Sequence, residues 1–259
     1  MIAVRELSVV LGGRRVLDGV SFDVPKGMLV AVLGANGSGK TTLLRAVAGL
    51  LAYSGGIELA GQDAAALGSA QRARLVAYVP QGHQADWPLA ARDVVAIGRM
   101  PHGGGPGRLR ESDIRAVENA LVAVDATHLS SRPVTELSGG ERARIMLARA
   151  LAVAAPVLLA DEPVAALDPQ HQLRVIGLLQ KVAANGGAVL AALHDLTLAA
   201  RFADAVIVLD AGRIAAQGRP ADVLTADLLE RVFQIEAHRF VHDGQCVILP
   251  WSTETDSHR

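Results

Sequence analysis

The sequence predicts an α/β fold with a mostly parallel sheet, an antiparallel β subdomain and an inserted helical subdomain. Three observations carry that expectation. The apolar runs "MLVAVL" (28–33), "LVAYVP" (75–80), "PVLLAD" (156–161), "AVLAAL" (188–193) and "AVIVLD" (205–210) have strand length and no polar alternation. Strands buried on both faces read this way. Helical stretches separate most of them, which is the βα rhythm of a parallel sheet. One long interval, about 87–151, breaks the rhythm and holds helical patterns without a strand.

Taken in order, "IAVRELSVVL", "RRVLDGVSFDV" and "GIELAGQD" are short half-buried strands between glycine-rich turns. "MLVAVL" then runs into a glycine loop and a helix expected from about Gly39 to Leu51. The interval 87–151 contains "AARDVVAIGRM" and "ESDIRAVENALVAV", joined by the loop "PHGGGPGRLR", and ends in a helix expected to begin near Glu141. A helix over 220–233 and strands near "AHRFV" and "QCVILP" close the chain. We therefore expect one domain over 1–259. Its α/β core covers about 1–86 and 152–235, its helical subdomain about 87–151, and its C-terminal extension about 236–259.

With 259 residues the chain can bury a full core. Its formal net charge of −1 implies no bulk attraction to nucleic acid or anionic lipid. The lone Cys246 excludes an intramolecular disulfide and fits a reducing cytosol, and the start "MIAVRELSVVLGGRR" lacks the apolar stretch of a signal peptide. Mean hydropathy is positive at +0.30. Even so, no run reaches the ~18–20 uninterrupted apolar residues that span a bilayer. A soluble protein is expected.

"GANGSGKTT" (34–42) follows an apolar strand and opens a helix, the context in which G-x-x-x-x-G-K-[ST] binds phosphate. Gly34, Ala35, Asn36, Gly37, Ser38 and Gly39 would curl backbone N–H groups around phosphate oxygens at the positive end of the helix. Lys40 would reach the β- and γ-phosphates, Thr41 would offer its hydroxyl to Mg²⁺, and Thr42 completes the loop. The sheet is then a P-loop NTPase core. In "VLLADEP" (157–163) two carboxylates end a buried strand, which is costly unless they hold a cation or do chemistry. Asp161 is the natural Mg²⁺ partner. Glu162 beside it can orient and deprotonate a water.

Together these residues resemble the nucleotide-binding subunit of an ATP-binding-cassette (ABC) transporter, over at least Ile2 to about Val232. "GANGSGKT" resembles the family's Walker A loop, Gln81 in "VPQ" its Q-loop, and "LSGGE" (137–141) its signature motif. "VLLADEP" resembles Walker B, "ALD" (166–168) the D-loop, and "LHD" (193–195) the switch histidine. The resemblance implies ATP and Mg²⁺ as ligands and a head-to-tail pair of cassettes. In such a pair Ser138, Gly139, Gly140 and Glu141 of one chain would meet the γ-phosphate bound by the other. Within one chain, "LSGG" reads as a plain helix cap. It further implies that Gln81 contacts Mg²⁺ and the attacking water, that His194 holds the γ-phosphate and that water in line, and that Asp168 sits at the dimer seam.

One position departs from the family pattern. Leu11 stands where an aromatic residue usually stacks on adenine, leaving Val16, Arg14 or Arg15 as partial substitutes. The segment "QGHQADWPLAARDVVAIGRMPH" and the tail "GRPADVLTADLLERVFQIEAHRFV" resemble importers of iron chelates, haem, cobalamin and some transition metals such as zinc or manganese. Such a subunit would lie peripherally on the cytoplasmic face of the cell membrane. Its multi-span permease would dock near His83, Asp86, Trp87 and Arg92, and a periplasmic or extracellular binding protein would act indirectly. The alternative reading is that Trp87 and Pro88 simply anchor the subdomain. The competing function is a soluble cassette without a transporter, such as one for iron–sulfur cluster assembly. The post-Gln81 segment argues against it. His238, His242, Cys246 and His258 match no compact metal-ligand spacing.

Overall fold

The computed structural model describes residues 1–82, 88–165 and 167–253. Strands β1 (Ile2–Leu11), β2 (Arg14–Val24) and β3 (Leu29–Leu33) are followed by helix α1 (Lys40–Val47). Next come β4 (Ser54–Leu59), β5 (Gln62–Asp63), α2 (Ser69–Leu75) and β6 (Val76–Val79). Helices α3 (Ala91–Ile97), α4 (Glu111–Ala123) and α5 (Gly139–Ala152) lead to β7 (Val157–Asp161). Then α6 (Pro169–Ala184), β8 (Ala188–Ala192), α7 (Leu196–Phe202), β9 (Ala205–Asp210) and β10 (Arg213–Gly218) complete the core. A hairpin of β11 (Ile235–His242) and β12 (Gln245–Thr253) packs on α7.

The central sheet has the order β10-β9-β3-β8-β7-β6, parallel except for β10, and the antiparallel sheet has the order β2-β1-β4-β5. Side chains on a strand alternate between faces, so each central strand feeds two separate cores. Val30, Val32, Leu159 and Leu190 pack with α1 and the antiparallel sheet, against Leu7, Leu17, Leu43 and Leu44. Leu29, Ala31, Leu33, Leu158, Val189 and Ala191 face the other way, onto the helices that carry Val95, Leu121, Ile145 and Ile176. This double burial is why the strands are apolar throughout. Each fully buried leucine or valine contributes about 1.5–3 kcal/mol.

Between β6 and β7 the described residues form helices, as expected, with a single isolated bridge from Ala90 to Pro133. Helix α5 packs against α3, α4 and β6. The approach at the end of α3 is close enough to require glycine: a Cβ on Gly98 would lie 2.2 Å from the Arg149 carbonyl oxygen. Arg99 follows, buried. It pairs with Asp113 at 2.9 Å and donates to the Ala152 carbonyl at 2.7 Å, which holds the C-terminal end of α5.

Several boundaries differ from expectation. Helix α1 stops at Val47 rather than Leu51, because Gly49 turns left-handed (φ 75°) and Leu50 N–H bonds back to Arg45 O. Helix α5 begins at Gly139, two residues ahead of Glu141. The single helix expected over 220–233 is broken after Val223, where Thr225 starts a new turn by accepting from Leu228 N–H. Strand β10 and helix α2 carry no clear sequence signal: one is a half-buried edge, the other has no buried residue.

Candidate active site

Ligands of open α/β sheets bind beyond the carboxyl ends of the strands. Here four adjacent strands, β3, β8, β7 and β6, end together. They deliver in turn the loop 34–39, His194, Asp161 with Glu162, and Gln81.

The loop needs its glycines. Gly34 has φ 150°, and a Cβ there would lie 2.3 Å from the Leu209 carbonyl oxygen. Gly39 is the residue before α1, left-handed at φ 108°, and no side chain caps the helix. The first N–H groups of α1 are thus left to a ligand. Lys40 is 6% exposed, and its Nζ donates to the Gly34 and Ala35 carbonyls of its own loop at 2.8 and 3.1 Å. Burial lowers its pKa, and Glu162 and Asp161 oppose that shift. Ser38 Oγ is buried with no hydrogen-bond partner. A cradle of open N–H groups, a buried cation and an orphaned hydroxyl fits a phosphate chain.

Asp161 is 0% exposed. It accepts from Thr41 Oγ1 at its Oδ1 and from the Tyr78 hydroxyl at its Oδ2, both at 3.2 Å. Burial pushes its pKa up while those hydrogen bonds pull it down. Thr41 and Asp161 bring hard oxygen donors side by side, the ligand chemistry that suits Mg²⁺. Glu162 takes a left-handed backbone (φ 51°), turning its side chain out of the strand line. Gln81 Nε2 donates to Glu162 Oε2 at 2.8 Å, and His194 Nε2 lies 2.5 Å from Glu162 Oε1. One carboxylate is therefore held from both sides.

Ser138 caps α5 in a reciprocal box: its Oγ accepts from Glu141 N–H at 3.3 Å, and Glu141 Oε2 accepts from Ser138 N–H at 2.9 Å. The Ser138 backbone donor holds the Glu141 carboxyl below its ordinary pKa. Asp168 caps α6, accepting from His171 N–H at 2.9 Å with its other oxygen 2.7 Å from the His171 ring. Among the described residues no hydrogen bond or ion pair joins 138–141 to 34–42. Sequence reasoning missed Tyr78, whose only signal is a hydroxyl on an otherwise apolar strand. His83, Asp86, Trp87 and His258 lie outside the described residues, as does Ala166 of the "ALD" motif. Among the described residues, no group of three or more His, Cys, Asp and Glu side chains comes together as a metal-ligand set, the C-terminal His238, His242 and Cys246 included.

The fold and these residues define a P-loop nucleotide-binding protein. The ABC transporter family pattern matches residues 17–165. A hemin import ATP-binding protein, HmuV of Nocardia farcinica, is 48% identical over 240 residues, covering 92% of this chain and 83% of that protein. A cobalamin import ATP-binding protein, BtuD of Halobacterium salinarum, is 45% identical over 88% of this chain and 57% of that protein. A solved inward-facing metal-chelate type ABC transporter superposes with a TM-score of 0.82 at 27% identity, covering 98% of both chains. The chain belongs to the ABC transporter family, as an ATP-binding subunit.

Proposed function

We propose that this subunit hydrolyses ATP in a head-to-tail pair with a second copy of itself, and that the cycle drives a membrane permease importing haem, another iron chelate, cobalamin or a transition metal. One observation carries the catalytic part: Glu162 is gripped by Gln81 and His194 beside the Thr41–Asp161 pair. Names of relatives support the cargo class, hemin import at 48% identity foremost.

In this reading the loop N–H groups and Lys40 bind the phosphates of ATP. Thr41 and Asp161, with Gln81 at their side, would hold Mg²⁺, which when bound would neutralise charge on the phosphate oxygens. Gln81 and His194 keep the Glu162 carboxylate aimed at a water. Glu162 takes a proton as the water oxygen bonds the γ-phosphorus, the bond to the β–γ bridging oxygen breaks, and ADP and phosphate result. Ser138, Gly139 and Gly140 of the second copy complete the γ-phosphate contacts, and Asp168 lies at the seam between copies. Residues 87–151 act as a helical subdomain that receives the permease, with Arg92 near the contact. No described helix is long and apolar enough to cross a membrane, which suits a subunit held at the cytoplasmic face by that permease.

Glu162→Gln should cut turnover about 10²–10⁴-fold while ATP binding and nucleotide-dependent dimer formation persist. Turnover at the native rate would remove Glu162 from the role. Vesicles carrying the subunit with its permease should take up the cargo only with ATP; hemin, cobalamin and Zn²⁺ offered in parallel identify it.

A further inference from the structure

Strand β6 reaches the acid pair twice. Tyr78 donates to Asp161, and three residues later Gln81 donates to Glu162. The second contact belongs to the site already described. The first has a different chemical consequence.

Asp161 is wholly buried, so its carboxylate depends on hydrogen bonds to stay charged and oriented. Each carboxylate oxygen has two acceptor positions. Thr41 takes one on Oδ1 and Tyr78 takes one on Oδ2. These two donors approach from opposite elements, α1 and β6, and together define the plane and rotation of the group. The phenol donates its hydrogen to Asp161. Without the hydroxyl, Oδ2 loses that donor inside a closed strand end, and the carboxylate can rotate away from Thr41.

We infer that Tyr78 is a positioning residue for Mg²⁺ in the nucleotide site, fixing the Asp161 carboxylate so that it and the Thr41 hydroxyl face one cation. The inference rests on the placement of Mg²⁺ at Thr41 and Asp161 proposed above. Its signature is a changed metal requirement with an intact nucleotide cradle, because Tyr78 touches none of the loop 34–39 in the contacts described.

The test is a Mg²⁺ titration of the full chain binding a fluorescent, non-hydrolysable ATP analogue, with the same binding measured in EDTA. Tyr78→Phe should raise the half-saturating Mg²⁺ concentration about tenfold, the lower end for loss of a group supporting a metal ligand. Binding in EDTA and the thermal unfolding midpoint should stay near native. Asp161→Asn should raise the Mg²⁺ requirement at least as far. If Asp161→Asn shifts it and Tyr78→Phe does not, Tyr78 has no positioning role. If neither shifts it, the Mg²⁺ placement itself fails. Should Tyr78→Phe not fold, Tyr78→Leu, which also removes the hydroxyl, decides: a raised Mg²⁺ requirement with native binding in EDTA supports the inference, and no change overturns it.

Discussion

Two helices of this chain start beneath a serine–glycine stretch, and their first turns are finished differently. Helix α1 follows Gly39 with no side-chain cap and a buried, unpartnered Ser38 hydroxyl beside it. Helix α5 follows Ser138, which closes a capping box with Glu141. The first start is left open for an anion. The second already holds one, since the Glu141 carboxylate sits at the positive end of α5 and is kept ionised by Ser138 N–H. A phosphate brought to α5 must therefore share that end with a resident carboxylate. In one chain α5 is thus a folded, self-sufficient cap.

The sharpest way to break this contrast is to substitute each start. Lys40→Met should abolish ATP binding by the isolated chain. Ser138→Arg should leave that binding largely intact while dimer closure and hydrolysis are lost. If Ser138→Arg also abolished single-chain binding, the two starts would not be separable. A finer version uses glycines. Gly34→Ala should lower ATP affinity about tenfold, because the strained backbone and the Leu209 carbonyl leave no room for a Cβ. Gly140→Ala should leave that affinity unchanged, since its Cβ would meet only Leu167 Cδ2 at 3.6 Å. Equilibrium binding of a fluorescent ATP analogue reads all four variants.

In the proposed reading the base side of the open start lacks an aromatic group. Leu11 is 41% exposed at the end of β1, pairing across the turn with Arg14, while Arg15 is engaged with Asp18. Arg14 and Leu11 thus remain as the groups that could meet adenine, with Val16 close to the loop through Gly39. Leu11→Tyr should tighten ATP binding by about 1–3 kcal/mol, the scale of a base–aromatic stack. An unchanged dissociation constant would discard the stacking argument.

The smallest effect tests the self-made cap. Glu141→Ala should cost about 0.3–1 kcal/mol of stability at neutral pH, the scale of a charge at a helix terminus. The folded carboxyl titrates below its ordinary value. Its contribution is therefore complete above the unfolded pKa and fades as pH falls through the folded one. The melting difference between native and Glu141→Ala chains should shrink below about pH 4. A difference that grew on acidification would contradict the box.

Much of the molecule is legible in the residues alone, and the reasons are local. "MLVAVL" and "PVLLAD" announce doubly buried strands because both faces must be apolar. "GANGSGKTT" announces its loop because left-handed backbone at 34 and 39 demands glycine. Ser138 and Glu141 announce a cap through their spacing. What stayed hidden depends on which distant segments touch. The family resemblance expected Gln81, His194 and Glu162 around one water, but not that both would bond Glu162 directly across 81 and 32 positions of sequence, nor that Tyr78 would meet Asp161 across 83. Strand β10 could not be read either, since it is defined by its partner β9 and not by its own composition. The sequence by itself determined which groups could bind phosphate, cation and water, because residue type and spacing set that chemistry. The tertiary structure alone decided that four strand ends would bring them together. The order β3-β8-β7-β6 reverses the chain for three of its strands, and it sets their carboxyl ends side by side between the two cores.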